Sequence, residues 1–204
     1  MEQGFVASLR RPGGNITGIS LYAGLSAKIV EITREAMPIV RRLAILVHDQ
    51  DPIHKALLDE FEPSVRPFNF EPVVARISRA EDLERGFKEL ADRNVEALYL
   101  PQMALLVSLR YQLVERALTA RLPLLSNAPI FVEAGGLLSY GTRVEENYRR
   151  AAALVDKILR GAKPGDLPVE QPERFELIVN LKTAKAIGVT LSPATLLRAD
   201  KVIE

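Results

Sequence analysis

The chain has 204 residues, enough at roughly 100–200 residues per domain for one large domain or a domain with a fragment of a second. Its 27 Lys and Arg against 26 Asp and Glu leave a net charge of +1, so no excess of positive charge is available to neutralise a nucleic-acid backbone. Cysteine is absent and the two histidines, His48 and His54, are six residues apart, which removes disulfides, thiolate sites and any familiar zinc-ligand spacing.

The opening stretch, MEQGFVASLRRPGG, does not run from a basic start through an apolar centre to a cleavage site, so no export signal is expected in it. Pro12 to Gly18 (PGGNITG) reads as an irregular joint. Leu43 to Val47 is a continuous apolar run ended by His48, Asp49 and Gln50, the pattern of a strand buried on both faces. Asp51 before Pro52 predicts a helix start, with Ile53, Leu57, Leu58 and Phe61 on one face and Pro67 as its latest end. Phe70 to Ile77 is a second predicted strand. Ser78 and Glu81 then form an S-x-x-E capping box for a helix burying Leu83, Phe87, Leu90 and Ala91. Ala97 to Leu100 is the third strand, a long helix is expected from Ala104 to Arg121, and Pro123 to Leu125 and Leu137 to Ser139 are the fourth and fifth strands.

Thr142 with Glu145 predicts another capping box, for a helix that runs to Gly161 with Ala152, Val155, Ile158 and Leu159 inward. The Pro- and Gly-rich stretch Gly161 to Pro172 is a linker, and Phe175 to Asn180 restarts strand character before a short helix around Thr183 to Ile187. Strands alternating with helices of this length predict an α/β fold with a doubly wound parallel sheet. The longest uncharged apolar run, Ala97 to Leu109, contains Pro101 and Gln102 and falls short of the ~20 residues that span a bilayer.

In such sheets ligands bind beyond the carboxyl ends of the strands. The residues there include Asp49, Gln50 and Asp51, then Ser78, Gln102, Ser126, Asn127 and Tyr140. Amides, hydroxyls and carboxylates suit hydrogen-bonded recognition of a small polar solute. Asp51, Ser78 and Thr142 are also explained as helix caps alone. No G-x-S-x-G, Walker A or G-x-G-x-x-G motif occurs, and no nucleophile is paired with a base, so no catalytic residue, no metal ligand and no cofactor is assigned. Arg10-Arg11, Arg41-Arg42 and Arg149-Arg150 read as solvated faces.

Four phrases, GFVASLRRPGGNITGIS at Gly4 to Ser20, FVEAGGLLSYG at Phe131 to Gly141, VDKILRGAKPGDLPVEQP at Val155 to Pro172 and FELIVNLKTAKAIGV at Phe175 to Val189, together resemble the tryptophan/tyrosine-type substrate-binding proteins of ABC transporters. The resemblance implies a type I periplasmic binding protein-like fold, in which two α/β lobes joined by crossing segments close on a solute in an interlobe cleft. It implies a complete lobe 2, residues 18–136 and 171–204, and a remnant of lobe 1 with the crossings, residues 1–17 and 137–170. Members of that family carry an export signal and the first half of lobe 1 ahead of the first phrase, which this sequence is expected to lack. The implied site residues are Asp49, Gln50, Gln102 and Asn127 at the carboxyl edge, Tyr140 on a crossing, and Phe131. Phe131 is open to two uses, an aromatic wall for a planar ligand or ordinary helix core.

The implied function is the solute-binding component of an ABC importer, periplasmic or extracytoplasmic, binding a small polar solute such as an aromatic amino acid and delivering it to a membrane permease. A cytoplasmic ligand-sensing or interaction module built on the same lobe is the alternative. A homodimer is expected, because the apolar stripe of the 145–161 helix and the strand Leu137 to Ser139 would otherwise be bare.

Overall fold

The computed structural model describes residues 4–20 and 25–204. The chain divides into two compact units, Met1–Ala23 with Thr142–Phe175 and Gly24–Gly141 with Glu176–Glu204.

The second unit holds a seven-stranded sheet in the order β2-β1-β3-β4-β5-β6-β7. Its strands are β1 (Arg42–His48), β2 (Glu71–Ile77), β3 (Ala97–Leu100), β4 (Leu124–Ser126), β5 (Leu138–Thr142), β6 (Phe175–Asn180) and β7 (Lys201–Ile203). From β2 to β5 every neighbouring pair is parallel, with Ile45 opposite both Val74 and Tyr99. The Asn180 amide, at the end of β6, donates to the carbonyl of Leu137 just ahead of β5, 2.8 Å away. β6 therefore runs against β5, and β7 runs parallel to β6. The sheet is mostly parallel, as expected of a doubly wound α/β fold.

The apolar runs explain the centre. Leu43 to Val47 and all of β3 are fully buried, because strands covered on both faces need no polar alternation. Tyr99 and Phe61 meet there with ring centroids 6.2 Å apart. The helices are α1 (Leu25–Ala36), α2 (His54–Val65), α3 (Leu83–Asp92), α4 (Ala104–Ser108), α5 (Arg110–Thr119), α6 (Pro129–Glu133), α8 (Leu181–Ile187) and α9 (Pro193–Arg198), with α7 (Val144–Leu159) in the first unit. The step from β1 to β2 moves one way along the sheet and those from β2 through β5 move the other. Right-handed crossovers thus place α2 on one face and α3 to α6 on the opposite face.

Local starts and stops depart from expectation. Asp51 does not cap a helix directly; its Oδ1 accepts from the Ile53 amide at 3.1 Å, closing a turn one step before α2 begins at His54. The Ser78 and Glu81 box is replaced by Asp82, whose carboxylate accepts from the amides of Ser78 and Arg79 at 2.8 and 3.2 Å. The expected 104–121 helix is two helices that meet at Leu109 (φ −93°, ψ 7°). Thr142 does not cap α7 either; its hydroxyl accepts from the Asn147 side-chain amide at 2.8 Å. β5 lies between β4 and β6 rather than at a bare edge.

In the first unit, the N-terminal stretch lies along the linker. The Gly13 amide donates to the Gly165 carbonyl and the Val169 amide to the Leu9 carbonyl. Ile19 and Glu170 form a parallel bridge. A Cβ on Gly165 would lie 2.6 Å from the Gly14 carbonyl oxygen, so this close approach requires glycine. Arg150 of α7 is not a solvated residue as expected: its guanidinium pairs with Glu170 at 2.8 Å and Glu173 at 3.4 Å, and Glu170 first among its neighbours raises its pKa. α7 also turns differently from expectation. Leu154 is its buried leucine, whereas Val155 and Leu159 are 53% and 83% exposed.

Candidate functional site

The order β2-β1-β3-β4-β5 places a topological switch point between β1 and β3, since consecutive connections leave β1 and β3 in opposite directions. A crevice opens at the carboxyl ends of such a pair, and ligands of doubly wound sheets bind there. The residues at that edge are therefore the first to consider.

After β1 the chain turns at once: the Asp51 amide donates to the His48 carbonyl at 3.1 Å, leaving Asp49 and Gln50 at the tip. Gln50 is exposed. Asp49 is held from the β2 side, its amide donating to the Ile77 carbonyl and its Oδ2 accepting from the Ser78 hydroxyl at 3.1 Å. Its Oδ1 is buried and has no hydrogen-bond partner among the described residues. A carboxylate oxygen out of water without a donor is costly, so a donor brought to this atom would be stabilised there. The Asp82 carboxyl next to this turn is held below the usual carboxylate range, chiefly by the Ser78 amide and then by Arg85.

After β3, the Gln102 amide donates to Asn127 Oδ1 at 2.8 Å, tying the β3 edge to the residue that follows β4. Asn127 is buried, with 5% of its surface exposed. Ser126 locks the same junction, donating to the Leu100 carbonyl at 2.7 Å and accepting from the Ala128 amide at 3.1 Å. The His48 amide reaches Met103 Sδ at 3.4 Å, joining the end of β1 to the start of α4. Tyr140, on β5, is half-buried at this edge. One residue on, an added Cβ at Gly141 would lie 2.0 Å from the Asn127 carbonyl oxygen. Only glycine lets β5 come this close.

The sequence-based residues thus divide. Asp49, Gln102, Asn127 and Tyr140 share one sheet edge, and Gln50 flanks it from the exposed turn. Phe131 is fully buried in the core, the second of its two possible uses. Ser126 was read at a strand end without a role, while Met103 and Gly141 were not singled out in the sequence. A lone glycine inside a strand pattern signals close backbone approach, and that was the available clue for Gly141. Two surface hollows of about 540 Å³ each lie elsewhere on the second unit, one beside Phe87 and Arg116 and one beside Met37 and Val189, and none of the six residues lines either. Among the described residues no group of three or more His, Cys, Asp or Glu could hold a metal ion, and no helix is long and apolar enough to cross a membrane.

Residues 1–203 match the family described as ABC transporter substrate binding protein. The chain belongs to that family. Its members are substrate-binding proteins, not enzymes. The chain is 27% identical over 189 residues to a tyrosine-binding protein of Clostridioides difficile, covering 93% of this chain and 54% of that one. It thus spans about half the length of that relative. Among solved structures, it superposes on a conserved domain protein from Vibrio cholerae with a TM-score of 0.90 at 24% identity, covering 97% of this chain and 66% of that chain. It superposes equally on an ABC domain from Streptococcus pneumonia solved in complex with L-Trp, with a TM-score of 0.89 at 24% identity over 97% and 68% of the two chains. These likenesses establish the type I periplasmic binding protein-like fold.

Proposed function

We propose that this chain serves an ABC importer outside the cytoplasm, binding a small polar solute of the aromatic amino acid class and delivering it to a membrane permease. The solute would lie in a cleft of which the carboxyl edge of the second unit is one wall. The observation that carries the reading is the coupled edge itself: Asp49 fixed by Ser78, and Gln102 joined to Asn127. The relative named for tyrosine and the neighbour solved with L-Trp point to the solute class.

An amino acid brings an ammonium group, a carboxylate and a side chain. The buried, unpartnered Oδ1 of Asp49 suits the ammonium, the most strongly donating of the three. The side-chain amides of Gln102 and Asn127 suit polar groups of either sign. The Tyr140 ring and hydroxyl would serve the aromatic end.

Isothermal calorimetry with L-Tyr, L-Trp and L-Phe tests the reading. Saturable binding of at least one, weakened about tenfold by Asn127→Ala or Asp49→Asn, is expected, since a lost hydrogen bond to a charged group costs about 1.5–3 kcal/mol. Absence of binding to all three, or affinity untouched by both substitutions, would overturn it.

A further inference from the structure

The hollow beside Met37 and Val189 lies at the amino edge of the sheet, opposite the edge that carries Asp49 and Asn127. Val40 stands just before β1, Glu96 immediately precedes β3 and Pro123 immediately precedes β4, and all three line it. Because β1, β3 and β4 are parallel, their starts share one edge. Every lining residue belongs to the second unit. Met37, Val40 and Pro123 are buried and Val189 is half-buried, so the walls are aliphatic, and no aromatic ring is among them. The volume is about 540 Å³. Small-molecule sites run from about 300 to 1,000 Å³.

Two opposite charges line this hollow without meeting. Glu96 Oε2 accepts from the Arg41 and Arg42 amides at 2.6 and 2.9 Å, which fixes the carboxylate. Its Oε1 has no hydrogen-bond partner among the described residues, and the Arg121 guanidinium has neither an ion pair nor a hydrogen bond there. Arg121 also occupies a place that its backbone disfavours. Its amide donates to the Leu118 carbonyl and the Leu122 amide to the Ala117 carbonyl, closing α5 with Arg121 at φ +51°. Glycine is the usual residue at that point of such a helix end. The other described non-glycine residues at positive φ, Asn69 and Asn94, are of the type that adopts it readily. The chain thus carries a guanidinium at the mouth of an aliphatic hollow where a glycine would fold more easily.

We propose that this hollow is a second binding site, for an α-amino acid with an aliphatic side chain. Glu96 Oε1 accepts from the ammonium, Arg121 donates to the carboxylate, and the side chain lies against Met37, Val40, Pro123 and Val189. A molecule with only one of the two charges leaves the other protein group unmatched and is rejected for that reason. The site shares no residue with the carboxyl edge, so it does not depend on the cleft reading.

Nitrogen–proton correlation spectra of the whole chain, titrated with L-leucine, test this. Saturable shifts of the Arg121 and Val189 amides are expected. The Asn127 amide reports on the carboxyl edge separately, so failure of the cleft reading and failure of this site are distinguishable. 4-Methylpentanoate, which lacks the ammonium, and 3-methylbutylamine, which lacks the carboxylate, should each bind at least about tenfold more weakly, as loss of a hydrogen bond to a charged group implies. Arg121→Gly should weaken L-leucine to the same degree while the thermal midpoint stays the same or rises, since glycine suits the positive φ. Arg121→Lys should recover part of the binding. Glu96→Gln, which keeps an acceptor for both amides, should weaken L-leucine as well. No shift at the hollow, shifts confined to the carboxyl edge, single-charge analogues that bind as well as L-leucine, or L-leucine binding untouched by Arg121→Gly would each overturn the proposal.

Discussion

At the level of single residues, the candidate site depends on a contact that only hydrogen allows. With a methyl group at Gly141 only 2.0 Å from the Asn127 carbonyl oxygen, the backbone of β5 or of the Asn127 junction must move. No flexible side chain is there to yield, so Gly141→Ala is expected to cost about 1–3 kcal/mol of stability, the range of overpacked cores. It should also weaken solute binding by displacing Asn127; chemical denaturation and calorimetry read the two effects separately. Two carboxylates link stability to pH. Asp82 is held below its usual range, first by the Ser78 amide. For Glu96, burial acts to raise the pKa, but the Arg42 and Arg41 amides, which it accepts at 2.9 and 2.6 Å, bring the net value down. A carboxyl lowered in the native state contributes stability that is complete above the unfolded value of about 4 and is lost as the pH falls through the native one. The stability gap between the parent chain and an Asp82→Asn, Glu96→Gln double variant should therefore be largest near neutrality and close below pH 4, as followed by urea denaturation across that window.

Among the elements, those whose signal is local were legible and those decided by a neighbour were not. Leu43 to Val47 and Ala97 to Leu100 announce strands because a fully buried strand shows its burial in every residue. The caps failed as a class. Asp82 outcompetes Glu81 because its carboxylate reaches two amides at once, a geometry set by the turn after β2 and not by a four-residue motif. α7 carries two overlapping apolar stripes one residue apart, and periodicity cannot tell which of them the rest of the unit covers. Of the candidate site, the edge position of the polar residues at strand ends could be read from the switch-point rule, while the burial of Phe131 could not, because tertiary packing and not a local pattern decides it. α1 offers a test of tertiary capping. The Glu60 carboxylate of α2 accepts from the amides of Ser26 and Ala27 at 2.8 and 3.3 Å, doing from another helix what a local cap would do. Glu60→Ala should lower stability by about 1 kcal/mol, and Glu60→Gln, which keeps the acceptor and loses the charge, by less; thermal melts of both variants separate the two contributions.

Over the whole molecule, the apolar core is unevenly shared. Almost every buried aliphatic side chain belongs to the sheet unit, whereas Leu154 is the one buried Leu, Ile, Val, Phe or Met described in the other. Local opening free energies follow buried apolar contacts, so amides of β1 and β3 should exchange with solvent only through global unfolding. Those of α7 should exchange orders of magnitude faster in native-state hydrogen exchange. Equal protection in the two units would show that the smaller one draws stability from contacts beyond its own core.

The fastening of the first unit also has a temporal side. Thr17 donates to the Leu167 carbonyl across a separation of 150 residues, and Gly13 and Leu9 find their partners equally far along the chain. During synthesis at about 5–20 residues per second, the N-terminal stretch emerges roughly 8–30 s before the segment that holds it. For that interval the sheet unit can assemble β1 to β4 while the stretch ahead of it lacks its partners in residues 165–169. Nascent chains halted before Gly161 should accordingly lose this stretch to a protease, and chains released at full length should keep it.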